Sequence, residues 1–395
     1  MRVVFLNDWY APKMGYSDNL LCKALAAEGC EVHLVTSDLF PVFEKKEQAL
    51  YNSFLGERAE LGTSQVNGYT VHRLPHWFNK EGVWIRGLKA KLVQLKPQIV
   101  QNFKFASWNT HRSAYWARPL GYKLFLEDHV HWSVFHVHPW WKRLGYRVVY
   151  GSLLGPYASR RMEKCYAIAP DVREIGIRYF GLSPSKTVVM PLGYDSDVFY
   201  PATTSADAQD RSATRARLGV GPEEHLVIYT GRFTDGKNPA LLAQAVHQLR
   251  QAGHPYRALL VGWGQGPYLS KLEPFRSSIV LHDFVEWQEL AAFYRAADSA
   301  CWPKQESTSQ IDAAACGLPL ILSDQVTVRE RVAGNGYLYR ENDANDLAEK
   351  LLQLADPVHR AELGQVGAAR MAAQFSWRAL ARQRIADYEA AWAQS

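Results

Sequence analysis

The sequence lacks several things, and each absence narrows what it can be. It contains no uninterrupted run of eighteen apolar residues, so no conventional membrane-spanning helix is expected. Its opening, MRVVFLNDWY, has no basic region, apolar stretch or small-residue cleavage site; it reads as a buried strand, not a secretory signal. Cysteine is scarce and odd in number: Cys22, Cys30, Cys165, Cys301 and Cys316 form no C-x-x-C pair. The expectation is reduced thiols, mostly in the core of a cytoplasmic protein. No short repeat is present. The first strand is followed by P-K-M-G-Y, a single glycine where a dinucleotide-binding loop would carry G-x-G-x-x-G.

What is present describes a globular chain. Hydrophobic residues make up 47% and charged residues 21% of 395 positions, a length that suits two domains. The net charge of +6 is unevenly spread: residues 1–200 hold 25 Lys and Arg against 17 Asp and Glu, and eight of the 13 Trp. A basic, Trp-rich half suits an acidic substrate, an anionic membrane surface or nucleic acid. The excess is modest and no nucleic-acid reader motif appears, so nucleic acid is not an expected partner.

The element pattern is α/β. Arg2 to Asn7 reads as a strand, and Ser17 to Glu28 as a helix with Leu20, Leu21, Ala24 and Leu25 on one side, capped by Ser17 or Asp18. Gly29 ends it, and Glu31 to Thr36 is the next strand. The pattern restarts at His225 to Tyr229, with a loop from Gly231 to Asn238, a helix from Pro239 to Ala252 and a strand from Arg257 to Val261. Alternation of this kind builds a doubly wound parallel sheet. Residues 201–216, PATTSADAQDRSATRA, are polar and without useful period, and read as a linker or exposed insertion. Residues 376–392 read as a last amphipathic helix.

Three segments carry chemistry. Gly15 precedes a helix N-terminus, where backbone N–H groups and the helix dipole favour a phosphate; a tight turn is the plain alternative. Thr230-Gly-Arg-Phe-Thr-Asp-Gly-Lys places Arg232 and Lys237 in the loop after a strand, where two cations can hold a diphosphate and stabilise the charge it gains on leaving. Two exposed loop cations are the alternative there. Trp302-Pro-Lys-Gln-Glu-Ser-Thr-Ser-Gln-Ile-Asp runs from a strand into a helix: the N–H groups around Ser307, Thr308, Ser309 and Gln310 face a phosphate, and the Asp312 carboxylate can accept two sugar hydroxyls.

Taken in order, these motifs resemble the retaining glycosyltransferases of the GT-B fold, glycosyltransferase family 4. The resemblance covers nearly the whole chain and is stronger in the second half. There G-R-x(4)-K is followed by L-V-G-x-G, by F-V-x-x-x-E-L from Phe284 to Leu290, by A-A-D-x-A-x-x-P from Ala296 to Pro303, by D-A-A-A-C-G-L-P and by a closing F-S-W at Phe375 to Trp377. The resemblance implies two Rossmann-like domains facing a cleft. The first spans 1–195, with 376–395 packing back on it, then a linker or insertion over 196–216, then a nucleotide-sugar domain over 217–375. It implies transfer of a hexose or related sugar, with retention, from a nucleotide diphosphate donor, UDP being expected and GDP and ADP the alternatives. The acceptor would be a glycan, lipid-linked or small molecule. No cofactor or metal is implied, and closure of the domains would gate turnover. By position, Arg232 and Lys237 would bind the diphosphate, with Gly15 touching it from the first domain. Asp312 would hold the donor ribose in place of the family's second glutamate, Val285 would lie by the base, and His129 would stand near the donor sugar.

The sequence departs from the family at three places. Tyr16 stands at the second loop glycine, Asp312 is one methylene short, and Lys304 occupies the position of the first glutamate. Glu306 can serve in its stead if the loop is two residues shorter; a lysine there would suit an acidic donor sugar. Two patterns are set aside as ligand sites. Asp195-Ser-Asp197 spells a metal–diphosphate motif of a different fold, in a stretch joining the domains. His129, His131, His136 and His138 alternate like one polar face of an extended segment. Trp140-Trp-Lys-Arg-Leu-Gly-Tyr-Arg, with Arg160, Arg161 and Lys164, suits either peripheral contact with an anionic membrane face or core Trp beneath solvated cations. Rival readings are a GT-B phosphorylase or epimerase, and a catalytically weak subunit that binds glycans or a partner.

Overall fold

The computed structural model describes residues 1–41, 52, 55–78, 82–135, 139–264 and 266–394. The chain divides into two compact units: Met1–Leu192 together with Trp377–Ser395, and Gly193–Ser376.

In the first unit, apolar strands buried on both faces form the centre of an eight-stranded sheet. Across the sheet the strands are Thr187–Val189, Met162–Ala167, Lys123–Asp128, Ile99–Asn102, Arg2–Leu6, Glu31–Ser37, Tyr69–Leu74 and Gly62–Val66. Neighbours run parallel except the last pair, an edge hairpin. Arg2–Leu6 sits between Glu31–Ser37 and Ile99–Asn102, so the strand order reverses there. Crevices at such reversals, beyond the carboxyl ends of the strands, are where doubly wound sheets bind ligands. The loops at that end run from Asn7 to Tyr16, from Phe103 to Ser107 and onward from His129.

The helix Ser17–Ala27 packs against the sheet and against the last helix, Trp377–Ala393, which belongs to this unit although it follows the second in sequence. Neither Ser17 nor Asp18 caps the first helix. Tyr16 occupies the cap position with no side-chain hydrogen bond, because the Asp18 carboxylate is drawn inward by Asn7 Nδ2 at 2.7 Å.

The second unit is a six-stranded parallel sheet in the order Ile279–His282, Tyr256–Val261, His225–Thr230, Ser299–Trp302, Leu320–Ser323 and Gly336–Tyr339. All six residues of His225–Thr230 are buried, as a central strand requires. Here the order reverses between His225–Thr230 and Ser299–Trp302.

The segment 201–216, expected to be a linker or exposed insertion, is largely a helix, Ser205–Arg217, inside the second unit. Thr204 and Asp207 close a capping box, and the helix packs on Leu290–Ala296. It has little apolar stripe because its anchors are arginines. Arg211 reaches Asp298 at 2.6 Å and the carbonyls of Arg295 and Ala297. Buried Arg215 reaches Asp298 at 3.1 Å and the carbonyls of Ala296, Gly221 and Glu224. All five cysteines are buried and unpaired, and no helix among the described residues is long and apolar enough to cross a membrane.

Candidate active site

In the second unit, two loops adjoin at the reversal. One follows His225–Thr230 and carries Arg232 and Lys237; the other follows Ser299–Trp302 and carries Lys304, Glu306, Ser307, Thr308 and Ser309. Glycine makes the first approach possible. A Cβ on Gly262 would lie 1.9 Å from the Gly231 carbonyl, and one on Gly264 would lie 2.6 Å from Phe233. Gly231 N–H therefore reaches Val261 O at 3.0 Å, and Phe233 N–H reaches Trp263 O at 2.7 Å. Tyr229 fixes the turn by donating to Arg232 O at 2.8 Å. Arg232 is exposed, and Lys237 half-buried.

Lys237 Nζ donates to the main-chain oxygen of Glu306 at 2.8 Å, which ties the two loops together. Burial and then the neighbouring Arg232 charge lower the Lys237 pKa, so an anion placed between the two cations would be held strongly. The Glu306 carboxylate turns to Thr327, accepting from its N–H at 2.8 Å and its hydroxyl at 3.0 Å. Burial raises that carboxyl, but the Thr327 hydrogen bonds and Arg331 outweigh it and hold it below the ordinary value. Lys304 is half-buried and forms no ion pair among the described residues.

Arg331 braces the second loop, donating to Ser307 O at 2.9 Å and Gln310 Oε1 at 3.1 Å from a buried position. Thr308 is the cap position of the short helix Ser309–Ala315 and makes no side-chain cap bond. Ser309 hydrogen-bonds Tyr294, which also meets Thr230 Oγ1 at 2.8 Å. Asp312, on the first turn of that helix, is half-buried, and burial pushes its carboxyl up to about 8. Arg331 lowers it and Asp195 raises it, too weakly to change the outcome. Val285 is half-buried against the core of the same unit.

Asp195 of the D-x-D triplet accepts the Asp197 N–H at 3.1 Å and opens the turn into Val198 and Phe199. Its charge is felt by Asp312, a link the sequence did not announce.

In the first unit, Gly15 and Tyr16 are exposed at the start of Ser17–Ala27. His129 leaves the end of Lys123–Asp128 and binds Glu127 Oε1 through Nε2 at 2.7 Å. Burial lowers the His129 pKa, but the Glu127 carboxylate more than reverses it, so the imidazole keeps its proton to higher pH than usual. Glu127 is fully buried and pairs with buried Arg384 of the last helix at 2.5 Å. Burial would raise that carboxyl, but Arg384 and then His129 hold it down at about 2. Gln101 Nε2 donates to Glu127 Oε2, the oxygen that Arg384 meets, at 3.1 Å, and Tyr388 donates to Gln101 Oε1. Asp18, beside Gly15, feels His129 and Glu127 electrostatically, so the Gly15 loop and His129 share one end of the first sheet.

His131 does not join His129. Its Nδ1 meets Asp171 at 3.0 Å, while His136 and His138 lie outside the described residues. No group of three His, Cys, Asp or Glu among the described residues could hold a metal ion. Arg331, Thr327 and Arg384 were missed in the sequence, and no local pattern marks them. Glu127 had a signal, an acid at the end of the apolar run Leu124 to Leu126.

The profile described as Glycosyltransferase Family 4 matches residues 19–198, and that described as Glycosyl transferases group 1 matches residues 224–356. The chain thus carries a Glycosyltransferase Family 4 domain followed by a Glycosyl transferases group 1 domain. A D-inositol 3-phosphate glycosyltransferase of Segniliparus rotundus is 31% identical over 231 residues, 54% of this chain and 49% of that protein. A GDP-mannose-dependent monoacylated alpha-(1-6)-phosphatidylinositol monomannoside mannosyltransferase of Corynebacterium glutamicum is 25% identical over 252 residues, 60% of this chain and 61% of that protein. The chain spans about half the length of the first curated relatives it matches. Sucrose-phosphate synthase from Thermosynechococcus elongatus superposes with a TM-score of 0.69 at 20% identity, covering 100% of both chains. Anabaena HepE in complex with UDP gives 0.68 at 18% identity, covering 99% of this chain and 100% of that one. The architecture is thus that of the GT-B glycosyltransferases, and the Arg232–Lys237 and Lys304–Asp312 segments both fall within the group 1 match.

Proposed function

We propose that this protein transfers a sugar from a nucleotide diphosphate donor, UDP-linked, to a hydroxyl of an acceptor, retaining the anomeric configuration and using no catalytic metal. The observation that carries this reading is the junction of two loops at the second sheet's reversal, where Lys237 is bonded to Glu306 O and lies within electrostatic reach of Arg232. In the transfer, the acceptor oxygen bonds to the anomeric carbon as the bond from that carbon to the β-phosphate oxygen breaks. The acceptor proton passes to the departing diphosphate. Arg232 and Lys237 neutralise the charge that grows on that leaving group, the task a divalent cation performs elsewhere. Asp312 accepts the ribose hydroxyls once it is ionised, and His129, held by Glu127, stands on the sugar side. Two relatives are named for inositol-based acceptors that carry phosphate, which agrees with a basic first half of this chain.

The test is thermal shift and slow donor hydrolysis with UDP-, GDP- and ADP-sugars, with and without EDTA. Stabilisation and hydrolysis by a UDP-sugar, indifferent to EDTA and lost in Arg232→Ala, is the expected result. Loss of hydrolysis on chelation would refute the metal-free mechanism. Lys304, where the family carries glutamate, favours a second reading: a subunit that binds donor without turning it over. Binding without hydrolysis or transfer to any acceptor would select it. A donor screen also tests whether Lys304 suits an acidic sugar, since uronic acid donors would then outperform neutral hexoses.

A further inference from the structure

One surface of the first unit is unexplained by glycosyl transfer. From Trp140 to Arg161 the chain is helical throughout: Trp140–Gly145, then Tyr146–Leu154 wound as a π-helix, then Gly155–Arg161. One side of this segment is seated on the core through Tyr146, Tyr150 and Tyr157. The seating is tight, since a Cβ on Gly155 would fall 1.7 Å from the Phe180 carbonyl. The opposite side presents Trp141, Leu144, Val148, Val149 and Leu153 to solvent, and Trp140 precedes them at 70% exposure. Their spacing of one to four residues keeps them on one flank. A helix that is apolar on both sides belongs in a core or at a lipid boundary, and the core takes only one side here.

Charge decides between the candidate occupants. From His129 to Met162 there is no Asp or Glu, while Lys142, Arg143, Arg147, Arg160 and Arg161 all fall within that stretch. A second copy docked through this face about a two-fold axis would set these cations against themselves. An anionic surface would be attracted, and a lipid one would also take the apolar side chains. We propose that this face rests on an anionic lipid bilayer. Trp140 and Trp141 lie at the headgroup level, Leu144, Val148 and Leu153 enter the acyl boundary, and Arg147 with its neighbours meets lipid phosphates. The helix lies on the bilayer and does not span it.

The experiment uses the full chain and vesicles of phosphatidylcholine with about a quarter phosphatidylglycerol, against pure phosphatidylcholine, at about 0.15 M salt. Flotation should show binding to the anionic vesicles at least about tenfold stronger, weakening as salt rises. Brominated acyl chains should quench tryptophan emission. Trp141→Ser with Leu153→Ser removes exposed side chains only, so its melting temperature should be unchanged while partitioning falls at least about tenfold. Arg147→Glu should weaken binding to anionic vesicles by about tenfold and leave the weak binding to neutral ones alone. Absence of binding to anionic vesicles overturns the proposal, as does full binding by the double-serine protein. So does a concentration-dependent dimer abolished by the same two changes, which would give the face to a second copy. No donor is present in the assay, so its outcome and that of the transfer reading are independent.

Discussion

Asp312 shows how a single residue couples the candidate site to stability. Its carboxyl is raised from the ordinary carboxylate value to about 8, chiefly by burial. The folded protein therefore keeps a proton that the unfolded chain has already released. The stabilisation is complete at pH below about 4, where both states are protonated. It is lost progressively as pH rises and is gone once the folded group ionises above about 8. Asp312→Asn removes this dependence. Calorimetry should find the variant gaining on the wild type by a few °C, on the order expected for one such group, between pH 5 and 8. Parallel melting curves across that range would show the carboxyl to be ordinary. Above about pH 8, where the folded carboxyl is ionised, the same substitution should weaken nucleotide binding, since two ribose hydroxyls would lose a charged acceptor. Lys237→Met should lower kcat by about two to three orders of magnitude, as loss of one transition-state donor does. A change confined to KM would mean that the lysine binds the ground state only.

At the scale of elements, the last helix reaches His129 through the Arg384–Glu127 ion pair. Arg384→Met would leave buried Glu127 without its guanidinium partner, a loss of about 3–5 kcal/mol of stability by analogy with other broken buried pairs. Removing both charges, Glu127→Gln with Arg384→Met, should recover most of that loss. In the double variant, which neutralises Glu127, the His129 titration followed by carbon NMR should move to lower pH, because the group that raises it is gone. An unmoved titration would break the link between helix and histidine. The helix Ser205–Arg217 offers a simpler case: Thr204→Ala removes a capping-box partner and should cost about 1 kcal/mol in chemical denaturation.

These elements also show what was legible in the residues and what was not. Runs such as Leu226 to Tyr229 and Leu259 to Val261 announce buried parallel strands, and glycines after them announce the loops, because burial and tight turns leave a local mark. Ser205–Arg217 left no such mark: its anchors are guanidiniums bonded to Asp298 and to carbonyls far along the chain, and an apolar period cannot register them. The same holds in the site. The sequence order presents Arg232, Lys237 and Asp312 as a family pattern, but the brace from Arg331 to Ser307 and the anchoring of Glu306 by Thr327 depend on tertiary placement alone.

At the scale of the molecule, the chain builds part of one unit, builds all of the other, and returns to finish the first. Ending the chain at Ser376 would take away Arg384 and Tyr388 while leaving Gly193–Ser376 whole. Calorimetry of such a truncation should show the transition of the second unit retained and that of the first lowered or absent. A single unaltered transition would mean that the last helix is dispensable. The return of the chain also has a meaning in time. A ribosome releases residues from the amino end first, so Gly193–Ser376 can fold while the first unit still waits for its closing helix. Until that helix arrives, Glu127 lacks the Arg384 counter-charge and the face beneath the helix stays open. A nascent chain that stalls early would carry a finished sheet joined to an unfinished one, the kind of half-made product that chaperones and proteases distinguish from the completed chain.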